Sequence, residues 1–147
     1  MFTTYQIYFT VWGWQIFSYN DLCSKNNIET LVHVSALGVS EFSDSKYSRS
    51  KAIGDKRLLE NFPKAKILRP SLLFGKGDNF FGQFSKMSSI SPALPLISKN
   101  TRFQPIFVDD VVLAIIKLIS KKDIKGNIFE IGGKFVYTFE ELLKILL

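Results

Sequence analysis

Within the stretch Ser45-Lys46-Tyr47-Ser48-Arg49-Ser50-Lys51-Ala52, a tyrosine and a lysine stand four residues apart. On a helix that spacing puts both side chains on one face, about one turn apart. A free phenol ionises at about pH 10. A neighbouring ammonium favours the phenolate and draws that ionisation down, toward the range where general acid–base work is efficient. The same ammonium carries donors and no acceptor, which suits the diol of a sugar. One turn of helix can therefore hold a proton donor and a clamp for a ribose. The chain also has 5 tyrosines and many lysines, so the pair alone fits an exposed contact equally well, one worth a few tenths of a kcal/mol. The elements around it must decide.

Those elements read as a strand and helix series. Leu31-Val32-His33-Val34-Ser35-Ala36 is a short buried strand ending in small residues. Ser35 falls where that strand ends, and in open parallel sheets ligands sit beyond the carboxyl ends of strands. Its hydroxyl either polarises a substrate carbonyl or simply starts a loop. His33, inside the run, reads as a sheet histidine rather than a base. Asp44 or Ser45 caps a helix through about Asn61, with Ala52, Ile53, Leu58, Leu59 and Phe62 inward, and Pro63 closes it. Ala65-Lys66-Ile67-Leu68-Arg69 is the next strand. This spacing predicts a parallel sheet with right-handed crossovers.

Further along, the pattern predicts a helix from Asp78 to about Ser88, then a Pro- and Ser-rich passage from Ser89 to Pro95. A strand follows over Phe103–Val108. Asp109 and Asp110 open an apolar helix, where they complement the N-terminal dipole; as sequence neighbours they point apart and do not make a catalytic acid pair. Asn127-Ile128-Phe129-Glu130-Ile131 is the last strand, and Thr138-Phe139-Glu140-Glu141 is a capping box opening a final helix. A short helix is also expected from Ser18 to Asn27, with Leu22 and Cys23 inward.

Residues 1–20 differ in character from the rest. They carry no charged side chain and are crowded with aromatics, and Tyr5 to Trp12 has strong β propensity. They lack the basic region and cleavage site of a signal peptide, and Gln6, Gln15 and Gly13 make a poor membrane span. Two parts are expected: an aromatic-rich segment over 1–20 and a nucleotide-fold portion over 21–147.

At 147 residues, 46% hydrophobic and 22% charged, the chain is ordinary for one globular domain. The net charge of +6 comes from single lysines spread along the chain, so nucleic acid is not an expected partner. One Cys23 and one His33 exclude an intramolecular disulfide framework and make a metal site an unpromising reading. A reducing, cytoplasmic setting follows.

Taken in order, the strand through Ser35, Tyr47-x-x-x-Lys51, Leu68-Arg69-Pro70-Ser71-Leu72-Leu73-Phe74-Gly75 and Phe107-Val108-Asp109-Asp110-Val111 resemble the extended or atypical branch of the short-chain dehydrogenase/reductase superfamily, which includes epimerase-like members. Within it, Arg69 to Phe81 and Phe103 to Val111 are most similar to the NAD(P)H-binding accessory-subunit family of respiratory complex I. The resemblance covers roughly Leu22 to Leu147. It implies a Rossmann-type sheet and NADP(H), with NAD as the alternative. It also implies Tyr47 as acid/base, Lys51 as ribose clamp and Ser35 as carbonyl-polarising hydroxyl. Pro70, Ser71 and Leu72 would line the nicotinamide side. In the complex I family the nucleotide is thought to be structural.

One departure matters. A dinucleotide needs a Gly-rich turn that brings backbone amides to its pyrophosphate at a helix N-terminus, and neither Gly-x-x-Gly-x-x-Gly nor Gly-x-Gly-x-x-Gly occurs here. The expected fold class is thus α/β: an incomplete Rossmann-like, NAD(P)-binding parallel sheet with flanking helices, lacking the first βαβ half. Weak or absent nucleotide binding is expected of the isolated chain. Three roles stay open: a nucleotide-binding portion of a respiratory-complex subunit, peripheral to the inner membrane; an oxidoreductase half completed by a partner carrying the N-terminal half; or a non-catalytic interaction module or decayed gene product.

Overall fold

The computed structural model describes residues 5–9, 28–76, 101–121 and 123–146. The helices expected at 18–27, with Leu22 and Cys23, and at 78–88 lie outside these residues, as does the passage from Ser89 to Pro95. The chain divides into two compact units, Met1–Pro70 with Leu113–Ile131, and Ser71–Val112 with Gly132–Leu147.

The first unit contains the strands β1 (Tyr5–Phe9), β2 (Thr30–Val34), β3 (Lys66–Pro70) and β7 (Ile128–Ile131), with helix α1 (Lys46–Asn61) between β2 and β3. The four strands form one sheet in the order β1-β2-β3-β7, and every neighbouring pair is parallel. Ile7 lies opposite Val32, Val34 opposite Leu68, and Leu68 opposite Phe129. β2 reads as an unbroken apolar run because Leu31, Val32, His33 and Val34 are all buried, as expected where both faces of a parallel strand are covered. The β propensity of the opening segment is realised over Tyr5–Phe9. That strand shares the sheet of β2, so the edge of the sheet does not coincide with the boundary expected at residue 20.

Ser45 caps α1, its Oγ accepting from the Ser48 N–H at 3.4 Å. Leu58 joins Ile28, Leu31, Ala65 and Ile67 in a core against which Leu59 and Phe62 pack. Before Pro63, the Phe62 N–H still donates to Leu58 O at 2.7 Å; proline has no N–H to continue the ladder. Ile53, expected inward, is exposed. The buried positions of the helix are Lys51, Ala52, Gly54, Asp55 and Leu58, so the helix is turned toward two charged residues. Their partners, described below, supply the reason.

In the second unit, β4 (Leu73–Phe74) pairs in parallel with β6 (Ile106–Phe107), and β5 (Arg102–Phe103) pairs antiparallel with β8 (Tyr137–Thr138). The single strand expected over Phe103–Val108 is therefore two short ones with different partners. Pro105 cannot donate to a ladder and interrupts the run. Gln104 covers the break: its Nε2 donates to Gly133 O at 2.6 Å and its carbonyl accepts from the Gly133 N–H at 3.2 Å. A Cβ on Gly133 would stand 1.9 Å from Pro105 O, so this approach requires glycine.

Helix α2 (Val108–Ser120) starts in the second unit and ends in the first. Asp109 and Asp110 are exposed in its first turn, and Val111, Ile115 and Leu118 form its buried side. No helix among the described residues is long and apolar enough to cross a membrane.

Helix α3 (Phe139–Leu146) begins with the expected capping box. Glu141 Oε2 accepts from the Thr138 N–H at 2.7 Å and from its hydroxyl at 2.9 Å, while Thr138 Oγ1 accepts from the Glu141 N–H at 3.2 Å. The N–H and hydroxyl of Thr138 hold the Glu141 carboxyl below the ordinary glutamate value of 4.5. A group depressed on folding contributes fully above its unfolded pKa and loses that contribution as pH falls through its folded one. The Thr138 amide resonance is therefore expected to titrate with Glu141 below pH 4.5, which an acid NMR titration reads. Thr138→Ala should cost about 1 kcal/mol of helix capping at neutral pH, measurable by urea denaturation.

Candidate functional site

The carboxyl ends of β2 and β3 lie side by side. The Ser35 N–H donates to Leu68 O at 2.8 Å, and the Leu37 N–H to Pro70 O at 2.9 Å. Ser35 and Pro70 are thus brought to the same end of adjacent parallel strands, where a doubly wound sheet binds its ligands. Ser35 is only 7% exposed, yet its Oγ has no hydrogen-bond partner among the described residues. Ser71 and Leu72 belong to the second unit, both half-buried, with Leu72 O accepting from the Ile106 N–H at 2.9 Å.

Tyr47 and Lys51 occupy successive turns of α1, but their environments differ. Tyr47 is 53% exposed and Lys51 only 5%. Burial of the phenol pushes its ionisation above the usual tyrosine value, the reverse of the lowering expected from a neighbouring lysine. Lys51 is itself desolvated, which pulls its ammonium below the ordinary lysine value, while the Asp55 carboxylate opposes that fall.

Asp55, one turn beyond Lys51, was not singled out in the sequence. It is 1% exposed. Its Oδ2 accepts from Arg69 Nε at 2.9 Å, and its Oδ1 lies 3.3 Å from His33 Nε2. The two atoms are close but not aligned as a hydrogen bond. Arg69 continues to Glu130 on β7, Nη1 to Oε1 at 3.4 Å. His33 therefore serves the sheet, as its position in β2 implied. Two signals marked this network in advance: an acid on the same face as Tyr47 and Lys51, and an arginine at the carboxyl end of a strand whose centre is apolar.

Each unit has a hollow among its described residues, and neither is lined by Ser35, Tyr47 or Lys51. One of about 700 Å³ in the first unit is lined by residues including Phe42, Ala52, Asp55, Lys56 and Arg69. Another of about 570 Å³ in the second unit is lined by residues including Phe74, Phe107, Lys134, Phe135 and Tyr137.

No protein-family profile matches the chain. Curated proteins do. Over 123 residues, 84% of this chain, it is 36% identical to NADH dehydrogenase [ubiquinone] 1 alpha subcomplex subunit 9, mitochondrial, of Dictyostelium discoideum, of which it covers 35%. The Mus musculus protein of the same name is 37% identical over 121 residues, 81% of this chain and 32% of that protein. The chain spans about a third of the length of these relatives. Among solved structures it is similar to the dTDP-glucose 4,6-dehydratase of Bacillus anthracis in complex with NAD. That likeness has a TM-score of 0.72 at 22% identity and covers 89% of this chain and 49% of the other, which shows a Rossmann-like fold.

Because Asp55 is buried between two strands and Glu130 is exposed, truncating the two should have unequal effects. Asp55→Ala removes the buried partner of Arg69, leaving it only the exposed Glu130, and should cost about 3 kcal/mol. Glu130→Ala should cost less than about 1 kcal/mol. Urea denaturation of the two variants beside the parent chain measures both.

Proposed function

The chain is a homologue of the subunit 9 proteins of mitochondrial NADH dehydrogenase, and we propose that it is the nicotinamide-side portion of a complex-I-type, NAD(P)H-binding protein. In this reading the nucleotide, NADP(H) before NAD, is a structural ligand. The partners are subunits of a respiratory complex, and the setting is peripheral to the inner membrane.

The observation that carries this reading is the unequal burial of the helical pair. Lys51 presents a desolvated ammonium beside a carboxylate, suited to donate to a ribose diol. Tyr47 is largely exposed, with its phenol held above the usual range, which takes it away from the protonation balance that proton transfer at neutral pH needs. A clamp is retained without a tuned acid. The buried, unpartnered Ser35 hydroxyl and the adjoining Pro70 fit the nicotinamide side, with Ser71 and Leu72 next in the chain. A Gly-rich pyrophosphate turn is not among the residues of this sequence, so affinity should be low. Titrating the purified chain with NADPH while following nucleotide fluorescence is expected to give weak binding that Lys51→Met removes. Sub-micromolar affinity would contradict the reading.

The Ser35 hydroxyl, without a hydrogen-bond partner among the described residues, favours a second reading, an NADP-dependent oxidoreductase half completed by a chain that carries the Gly-rich turn. Bound nicotinamide would supply the hydride; Ser35 Oγ would polarise the carbonyl and Tyr47 Oη would deliver the proton. Co-expression with such a partner, followed by nucleotide oxidation assays, tests it. Loss of turnover in Tyr47→Phe is expected here, and turnover indifferent to that substitution would eliminate it.

A further inference from the structure

We propose that the outward face of α2, with the lysines around its last turn, seats the chain on an anionic lipid surface. The inference rests on the peripheral setting proposed above and names the part of the chain that meets the membrane.

From Val111 to Ile119, α2 carries no polar side chain except Lys117. A helix apolar on all sides is normally covered on all sides. Here one side is covered: Val111, Ile115 and Leu118 are buried, while Leu113 is 63% and Ile116 51% exposed. At about 3.6 residues per turn, Leu113, Ile116 and Lys117 fall on the arc opposite the buried residues. The Lys121 N–H still donates to Lys117 O at 3.1 Å, so Lys121 continues that arc past the helix end.

Two more lysines are brought to this end of the helix by hydrogen bonds between segments. Asn127 Nδ2 donates to Pro63 O and to Ala65 O, both at 2.8 Å. Lys66 Nζ donates to Ile124 O at 2.9 Å and to Gly126 O at 2.5 Å. Lys64 and Lys125 stand exposed on the two segments so joined. One acid, Asp123, is exposed in the same loop and leaves the cluster positive. Cations at a helix C-terminus complement its dipole, which accounts for Lys117 and Lys121 but not for Lys64 and Lys125, since neither lies on a helix. Protein interfaces favour aromatics and arginine and are depleted in lysine, whereas this surface combines aliphatic side chains with lysines. Aliphatics at the acyl boundary and lysines among the headgroups are the pattern of a helix lying on an anionic membrane.

The test needs no nucleotide. The full chain is sedimented with vesicles of phosphatidylcholine alone, and with vesicles of phosphatidylcholine and phosphatidylglycerol in equal parts. Binding should be at least about tenfold stronger to the mixed vesicles, and added salt should weaken it. Lys121→Glu should lower that binding at least about tenfold, and Leu113→Gln should lower it as well. Both positions are exposed, so neither variant disturbs the core. Lys46→Glu, at the start of α1, makes the same change of net charge and should leave binding near the parent value. Binding that survives either Lys121→Glu or Leu113→Gln overturns the proposal while the peripheral setting stands. Binding lost as far in Lys46→Glu reports net charge alone and also overturns it. A parent chain that binds neither kind of vesicle overturns it too, and leaves an acidic protein surface as the partner of these lysines. The nucleotide reading, tested by NADPH titration, is untouched by each of these results.

Discussion

A carboxylate taken out of water must be paired or it destabilises the fold that buries it. Asp55 meets that constraint by drawing a guanidinium from β3 and an imidazole from β2 onto one side of one helix. Three elements far apart in sequence are thereby fixed to one another. The rotation of α1 is set as well. With Asp55 turned inward, Lys51 one turn earlier must be inward too, and Ile53 is left on the outside. Ala52 and Leu58 are buried on that same face, so the charged and the apolar residues of α1 turn toward the sheet together.

That rotation has chemical consequences. Burying Lys51 strips water from its ammonium, which makes its charge depend on its neighbours. Tyr47 stays about half exposed, and the partial desolvation of its phenol pushes its ionisation up. On the proposed reading, the same geometry favours Lys51 as a clamp over Tyr47 as an acid. The second unit solves a separate problem, that of joining short strands without a long ladder. It uses a proline to break the run, a glutamine side chain and a glycine to bridge the break, and a reciprocal cap to start α3.

Much of this was legible in the sequence where one local rule dominated. The buried run of β2, the Ser45 cap, the stop at Pro63 and the Thr138–Glu141 box each rest on a few adjacent residues. The superfamily resemblance, carried by ordered short motifs, agrees with the relatives and with the Rossmann-like sheet. What escaped was set by contacts between distant residues. The acid at Asp55 and the arginine at Arg69 were visible singly, but not that they meet; Ile53 was assigned inward and the phenol was expected to be lowered. Likewise, the aromatic opening showed β propensity but not a partner, and only pairing to β2 identifies Tyr5–Phe9 as a strand of this sheet. Pro105 was visible, but the two different partners of the strands on either side of it were not.

The Asp55–Arg69 contact ties α1 to β3 of the sheet. A double-mutant cycle combining Asp55→Asn with Arg69→Met, read by urea denaturation, tests it most directly. The account predicts a coupling energy above about 1 kcal/mol, as for residues in one buried ion-pair network. Additivity within about 0.3 kcal/mol, the behaviour of independent sites, would contradict it.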